Sequence, residues 1–142
     1  MMIKETILIN APMEKVWDTF TDLTCWTNWN TVLQNVNSAA ECLIGGNDIK
    51  CCFRPFWFPI NVRIRIEEIR KYDRVVWTAQ KKGLFAFHEF FFQTQEQAIL
   101  VTSKETFTGL LASASGFLLP VGIMRSLTKT FLSDLKKASE KV

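Results

Sequence analysis

The run Val62-Arg63-Ile64-Arg65-Ile66-Glu67 alternates aliphatic and charged residues without a break, and it constrains the fold more than any other part of the chain. Successive side chains of a strand point to opposite faces, so this pattern demands a sheet with one face on a core and the other in water. The same period of two reads through residues 32–41, 47–54, 60–70, 74–80, 84–94 and 97–108, and a further run covers 3–10. Gly45-Gly46 and Lys82-Gly83 supply turn residues. Connections this short favour an antiparallel meander, because parallel neighbours need long crossovers. Two stretches change to the helical period. After Ala11-Pro12, the residues Met13, Val16, Trp17 and Phe20 fall at i, i+3, i+4 and i+7, the stripe of a helix packed on one side. Pro12 suits the first turn of that helix and Glu14 its positive end. Asp22 reads as the N-cap of a second short helix carrying Trp26 and Trp29. From about Pro120 onward, Met124, Leu127, Phe131, Leu135 and Ala138 form another stripe, with Lys129, Lys136 and Lys137 facing elsewhere.

A length of 142 residues is that of one domain, 1–142, with a substantial core. Twelve Phe and five Trp are more apolar aromatics than such a core needs, so some are expected to line a cavity. The net charge of +3 is mild and its cations are scattered, which gives nucleic-acid binding little electrostatic support. Cys25, Cys42, Cys51 and Cys52 include an adjacent pair and follow no signal-like segment, a usage that fits reduced thiols in a cytoplasm. Neighbouring strand residues face opposite ways, so Cys51 and Cys52 make poor joint ligands, and neither a metal nor a cofactor is expected. The apolar stretch from Leu110 to Met124 is broken by Gly, Ser and Pro and is shorter than the ~20 residues a membrane span needs.

The order of strand, two helices, six strands and long helix comes with several local motifs: Ala11-Pro12-x-x-x-Val16-Trp17, Asp22 followed by Trp26 and Trp29-Asn30, Val76-Trp77, and Glu105-x-Phe107-x-Gly109. Together they resemble the polyketide cyclase/dehydrase and lipid-transport family of the START-like (SRPBCC) superfamily over essentially the whole chain. The resemblance implies an α+β helix-grip fold. In it a seven-stranded curved antiparallel sheet wraps around a long C-terminal helix, two short helices lie between strands 1 and 2, and a cavity separates sheet from helix. The superfamily is similar in architecture across lipid carriers, hormone-binding proteins, cyclases, oxygenase subunits and chaperone activators, so fold analogy does not choose an activity.

The pleat assigns faces. A turn at Gln95-Glu96 puts Ile99, Val101, Ser103, Glu105 and Phe107 on the same face as Phe92, Phe90, His88 and Ala86, and makes His88 and Glu105 inward diagonal neighbours. A buried carboxylate and imidazole cost several kcal/mol unless paired. They are therefore a self-satisfied pair, a polar anchor for a ligand, or candidate catalytic residues moving a proton. The cavity is expected to be lined by Val62, Ile64, Ile66 and Trp77, by Phe90, Phe92, Val101 and Phe107, and by Leu127 and Phe131, with His88, Ser103 and Glu105 orienting one polar end. Trp77 keeps an ambiguous face, because a bulge after Gln80 reverses it. Trp17, Trp26 and Trp29 read as core residues. At one end of the meander, Phe56, Trp57 and Phe58, Leu84 and Phe85, and Phe117 form an apolar cluster beside Lys81 and Lys82, read as a portal, a plug or a membrane contact. The leading reading is a protein that binds or transports a hydrophobic small molecule, such as a lipid, isoprenoid or aromatic polyketide. The alternatives are a cyclase or dehydratase using His88 and Glu105, and an interaction module whose apolar end makes transient contact with a protein or a membrane surface.

Overall fold

The computed structural model describes residues 1–55, 57–81, 83–108 and 121–142. Seven strands form one antiparallel sheet: β1 (Met2–Ile9), β2 (Gln34–Ser38), β3 (Asp48–Phe53), β4 (Ile60–Arg70), β5 (Arg74–Lys81), β6 (Leu84–Gln95) and β7 (Ala98–Thr108). Their order is β1-β7-β6-β5-β4-β3-β2, so β2 to β7 run as a meander and β1 closes onto β7. Between β1 and β2 lie α1 (Met13–Thr21), a 3-10 turn (Leu23–Cys25) and the single turn α2 (Trp26–Trp29). The chain finishes with α3 (Val121–Ser139), gripped by the concave face of the sheet. This is the α+β helix-grip architecture.

Local differences from the sequence pattern have identifiable causes. Pro12 sits one position before α1, in extended backbone (φ −64°, ψ 152°), and not inside its first turn. Asp22 caps as expected, accepting from the Thr24 amide at 3.0 Å, but the element it starts is the 3-10 turn leading into α2. β2 is shorter than residues 32–41. The Asn30 side-chain oxygen accepts from the amides of Val32 (3.0 Å) and Leu33 (2.9 Å), which takes both residues out of the ladder. Asn35 then adopts φ 54°, and the register breaks between Gln34 and Asn37. The bulge in the central sheet lies in β4, between Ile66 and Glu68, and not after Gln80. The β5–β6 pairing runs unbroken to Lys81 and Leu84, and Gly83 turns the hairpin at φ 72°. Trp77 consequently faces inward.

The core is aromatic and centred on Phe20 of α1. Its ring stacks on Trp77 (5.8 Å, 12°) and meets Phe90 (4.8 Å), Phe92 (5.3 Å), Phe131 (6.0 Å) and Trp26 (6.4 Å) edge-on. One residue therefore joins α1, α2, the sheet and α3, and each such pair adds about 0.5–1.5 kcal/mol beyond its buried area. Trp17 and Trp26 are buried, and the Trp26 indole donates to the Phe20 carbonyl at 2.9 Å; Trp29 is half-buried against Phe131 at 5.6 Å.

On α3 the buried stripe is Met124, Thr128, Phe131, Leu132, Leu135 and Ser139. Leu127 is half-buried, and Ser139 takes the place expected of Ala138. Polar ties hold the second half of the helix. The Thr31 amide and hydroxyl donate to Asp134 Oδ2 at 2.9 and 2.6 Å, the Asn10 amide donates to Glu140 Oε2 at 2.7 Å, and Lys136 Nζ donates to the Leu8 carbonyl at 2.9 Å. Lys136 also hydrogen-bonds Glu140; that bond first, and the Asn10 amide second, holds the Glu140 carboxyl below the usual carboxylate range. No helix among the described residues is long and apolar enough to cross a membrane.

Candidate functional site

The β6–β7 hairpin sets the polar groups. Gln95 pairs with Ala98, so the turn residues are Glu96 and Gln97, with Glu96 at φ 57°. The turn falls one residue later than the sequence pattern places it. Moving a turn by one position moves the pairing by two, which leaves every side chain on its expected face but changes its partner. His88 stands directly opposite Glu105, not diagonal to it, and Phe90 stands opposite Ser103.

Those pairings bring three polar side chains together. His88 Nε2 lies 2.7 Å from Ser103 Oγ, and His88 Nδ1 lies 3.4 Å from Glu105 Oε2. The imidazole stacks on Phe90 (4.1 Å, 26°) and meets the edge of Trp77 (5.4 Å, 79°). Side-chain exposure is 12% for His88 and 15% for Glu105, and Ser103 is fully buried. A hydroxyl, an imidazole and a carboxylate thus lie side by side on an aromatic floor, with Nε2 at hydrogen-bond distance from Ser103 and Nδ1 at ion-pair distance from Glu105.

The trio lies in the wall of a cavity between the sheet and α3. Its interior is about 110 Å³, and the unfilled space out to its rim is about 850 Å³. The larger figure counts all the space between the lining atoms, including the part open to solvent. The gap has a local cause. Ala79 of β5 and Ala86 of β6 face each other across the ladder and both line the cavity, so two small side chains stand where larger ones would fill it. Of the residues read from the sequence as cavity wall, Val62 and Ile64 (β4), Trp77 (β5), His88 and Phe90 (β6), Ser103, Glu105 and Phe107 (β7), and Leu127 and Phe131 (α3) line this space. Ile66, Phe92 and Val101 do not. They share the inward face but lie further along their strands, in the solid core, where Phe92 packs on Trp17 at 5.0 Å. Val32 and Leu33 line the cavity as well, although their pattern read as strand, and Lys81 and Gln80 form part of its rim.

The portal residues divide. Leu84 is half-buried and lines the cavity. Trp57 is 87% exposed and Phe58 42%, their rings edge to face at 5.3 Å, so Trp57 does not plug the interior. Arg54 Nη1 donates to the Trp57 carbonyl at 3.4 Å. Phe85 lies on the outer face of the sheet, in a shallow depression with Arg63 and Lys81. Phe56, Lys82, Phe117 and the Gly109 of the terminal motif fall outside the described residues. Among the described residues, no group of three or more His, Cys, Asp and Glu converges as metal ligands would.

No family model matches this chain, and no curated protein matches it. Solved structures do. A hypothetical protein of Helicobacter pylori superposes with a TM-score of 0.82 at 17% identity, over 99% of this chain and 88% of that one. A protein of Thermus thermophilus gives 0.81 at 14%, over 98% and 97%. Norcoclaurine synthase of Thalictrum flavum, in complex with dopamine and hydroxybenzaldehyde, gives 0.77 at 9%, over 100% and 88%. At these identities the likeness shows the fold, a helix grip, and leaves the chemistry to this chain's own residues.

Proposed function

We propose that this protein binds a hydrophobic small molecule between its sheet and α3, with the polar end of the molecule at His88, Ser103 and Glu105. The observation that carries this reading is the placement of that trio in the wall of a cavity whose other lining is mostly carbon, with Gln80 and Lys81 at the rim and Thr128 on α3. Such a combination, an apolar enclosure with a few convergent polar groups, is what a small-molecule site requires. A ligand that buries about 200 Å² of apolar surface there gains about 5 kcal/mol from transfer alone. The complex of norcoclaurine synthase with dopamine and hydroxybenzaldehyde supports the reading, since a protein of this fold takes small aromatic molecules. Titration with Nile red, whose emission shifts on leaving water, tests it. One molar equivalent is expected to bind, and Ala86→Phe, which fills the gap beside Ala79, is expected to abolish binding while the far-ultraviolet circular dichroism stays native. Equal binding by both proteins would place the dye elsewhere and remove the reading.

A second reading is favoured by the connectivity of the trio. A hydroxyl on Nε2 and a carboxylate on Nδ1 is the order of a proton relay, in which His88 moves the proton and Glu105 orients the ring. In a cyclase or dehydratase of this kind the cavity holds a reactive carbonyl compound and His88 is the base. His88→Ala then lowers turnover by about 100-fold or more, whereas a carrier loses only part of its affinity. The exposed Trp57 and Phe58 favour a third role, contact with a membrane surface or a protein at the apolar end of the molecule, through which a ligand would be exchanged.

A further inference from the structure

If the cavity holds a ligand with its polar end at the trio, hydrogen-bond bookkeeping at His88 fixes what that polar end can be. An ionised carboxylate only accepts. With the imidazole neutral, its ring proton therefore sits on Nδ1, towards Glu105 Oε2. Nε2 is left as an acceptor, and Ser103 must donate its hydroxyl proton to it across 2.7 Å. What remains to meet a ligand is acceptor capacity alone, the lone pairs of Ser103 Oγ and the Glu105 oxygens, on a cluster of net charge −1. With the imidazole protonated, both nitrogens donate, the Ser103 proton is released, and the cluster is neutral overall. In neither state does the trio carry net positive charge.

The surroundings do not supply the missing cation. Glu5 pairs with Ser103 across β1 and β7, and its carboxylate takes up Arg125 (3.0 Å) and Lys129 (3.7 Å). Both cations are taken up by Glu5 on the edge strand β1, and neither lines the cavity. Lys81 does line it, but at the β5–β6 hairpin, where it pairs with Leu84 and donates to the Asn61 carbonyl at 2.7 Å. His88 is four residues further along β6, about 13 Å at the ordinary strand rise.

We infer that the ligand carries a hydrogen-bond donor, a hydroxyl or an amine, at its inward end, and that the site selects apolar alcohols, phenols or amines against carboxylic acids of the same skeleton. With the imidazole neutral, a carboxylate seated at the trio finds no donor; with it protonated, it finds only the Ser103 hydroxyl; in both states it meets the Glu105 charge in a poorly hydrated space.

Calorimetric titration at pH 7.5 with four matched probes tests this: naphthalene, 2-naphthylmethanol, 2-naphthylmethylamine and 2-naphthoate. The alcohol and the amine are expected to bind at least about tenfold tighter than the acid. Glu105→Gln is expected to bring the acid within about threefold of the alcohol. Ser103→Ala, which leaves Nε2 free to accept from a ligand, is expected to keep the preference for donors. Naphthoate binding as tightly as the alcohol overturns the inference, and more so if Lys81→Ala then removes it, since the acid would be held at the rim. Naphthalene binding with no ranking among the other probes overturns this inference alone. Failure of all four probes to bind overturns the cavity reading beneath it.

Discussion

Truncating Phe131 to alanine removes the side chain through which α3 enters the aromatic core. Its ring contacts Trp29 (5.6 Å), Phe90 (5.7 Å), Phe20 (6.0 Å) and Trp26 (6.4 Å), and the residue is only 5% exposed. Phe→Ala in a closed core costs about 3–5 kcal/mol, the lost transfer energy plus the cavity left behind. Here one flank of the ring already faces empty space, so part of the usual packing loss is absent. The expected cost is therefore at the low end, about 3 kcal/mol. For a chain of this length that corresponds to a fall in Tm of about 9 °C, at roughly 3 °C per kcal/mol. Urea denaturation followed by tryptophan fluorescence measures it, with Leu127→Ala as the comparison. Leu127 lines the same cavity from the same helix but lies outside the aromatic cage, and its truncation is expected to cost about half as much. A loss below about 1 kcal/mol for Phe131→Ala, or an equal loss for both variants, would refute the view that aromatic packing around Phe131 grips the helix.

Burial first, and the neighbouring Cys52 second, push the Cys51 thiol up to about 12, so iodoacetamide at pH 8 should alkylate exposed Cys42 in the folded protein and reach Cys51 only on unfolding; peptide mass spectrometry reads the order, and equal rates in the native state would contradict it. The lowered Glu140 carboxyl contributes stability that is complete above the usual carboxylate range and is lost as pH falls through its folded-state value. Because the group is partly solvated, the gap between wild type and Glu140→Gln should be only about 0.5 kcal/mol at pH 7, closing in acid and shrinking in 1 M salt; a gap that widens in acid would reverse the assignment. Trp57→Ser should change stability by less than about 0.5 kcal/mol, since its indole is 87% exposed, and should weaken sedimentation with anionic vesicles if that end meets a membrane; a large stability loss would show that the ring is packed.

Face assignment was legible because it depends only on parity. The alternation in β4 puts Ile64 and Ile66 inside with Arg63 and Arg65 outside, and no register shift of two alters that. The same protection carried His88, Ser103 and Glu105 to the interior even though the β6–β7 turn lies one residue further on. Position along a strand is another matter. Ile66, Phe92 and Val101 have the right parity for the cavity, yet the space opens nearer the hairpin end, where Ala79 meets Ala86. Seeing that requires the β5–β6 register and the line of α3, both set by tertiary packing. Val32 and Leu33 were hidden for a different reason. Their apolar pattern suits a strand, but the Asn30 side chain captures their amides and turns them over the cavity. Similarly, one residue of slack in a helical stripe exchanged Ala138 for Ser139 on α3.

Native mass spectrometry of the protein purified from its own host, with extraction of whatever is bound, tests the binding role most directly. A one-to-one adduct with an apolar molecule bearing a hydroxyl or amine is expected for the wild-type chain, and none for Ala86→Phe. A wild-type protein that comes out empty, and that stays empty after incubation with lipids and aromatic polyketides, would contradict the cavity reading and shift the weight to the exposed Trp57 end.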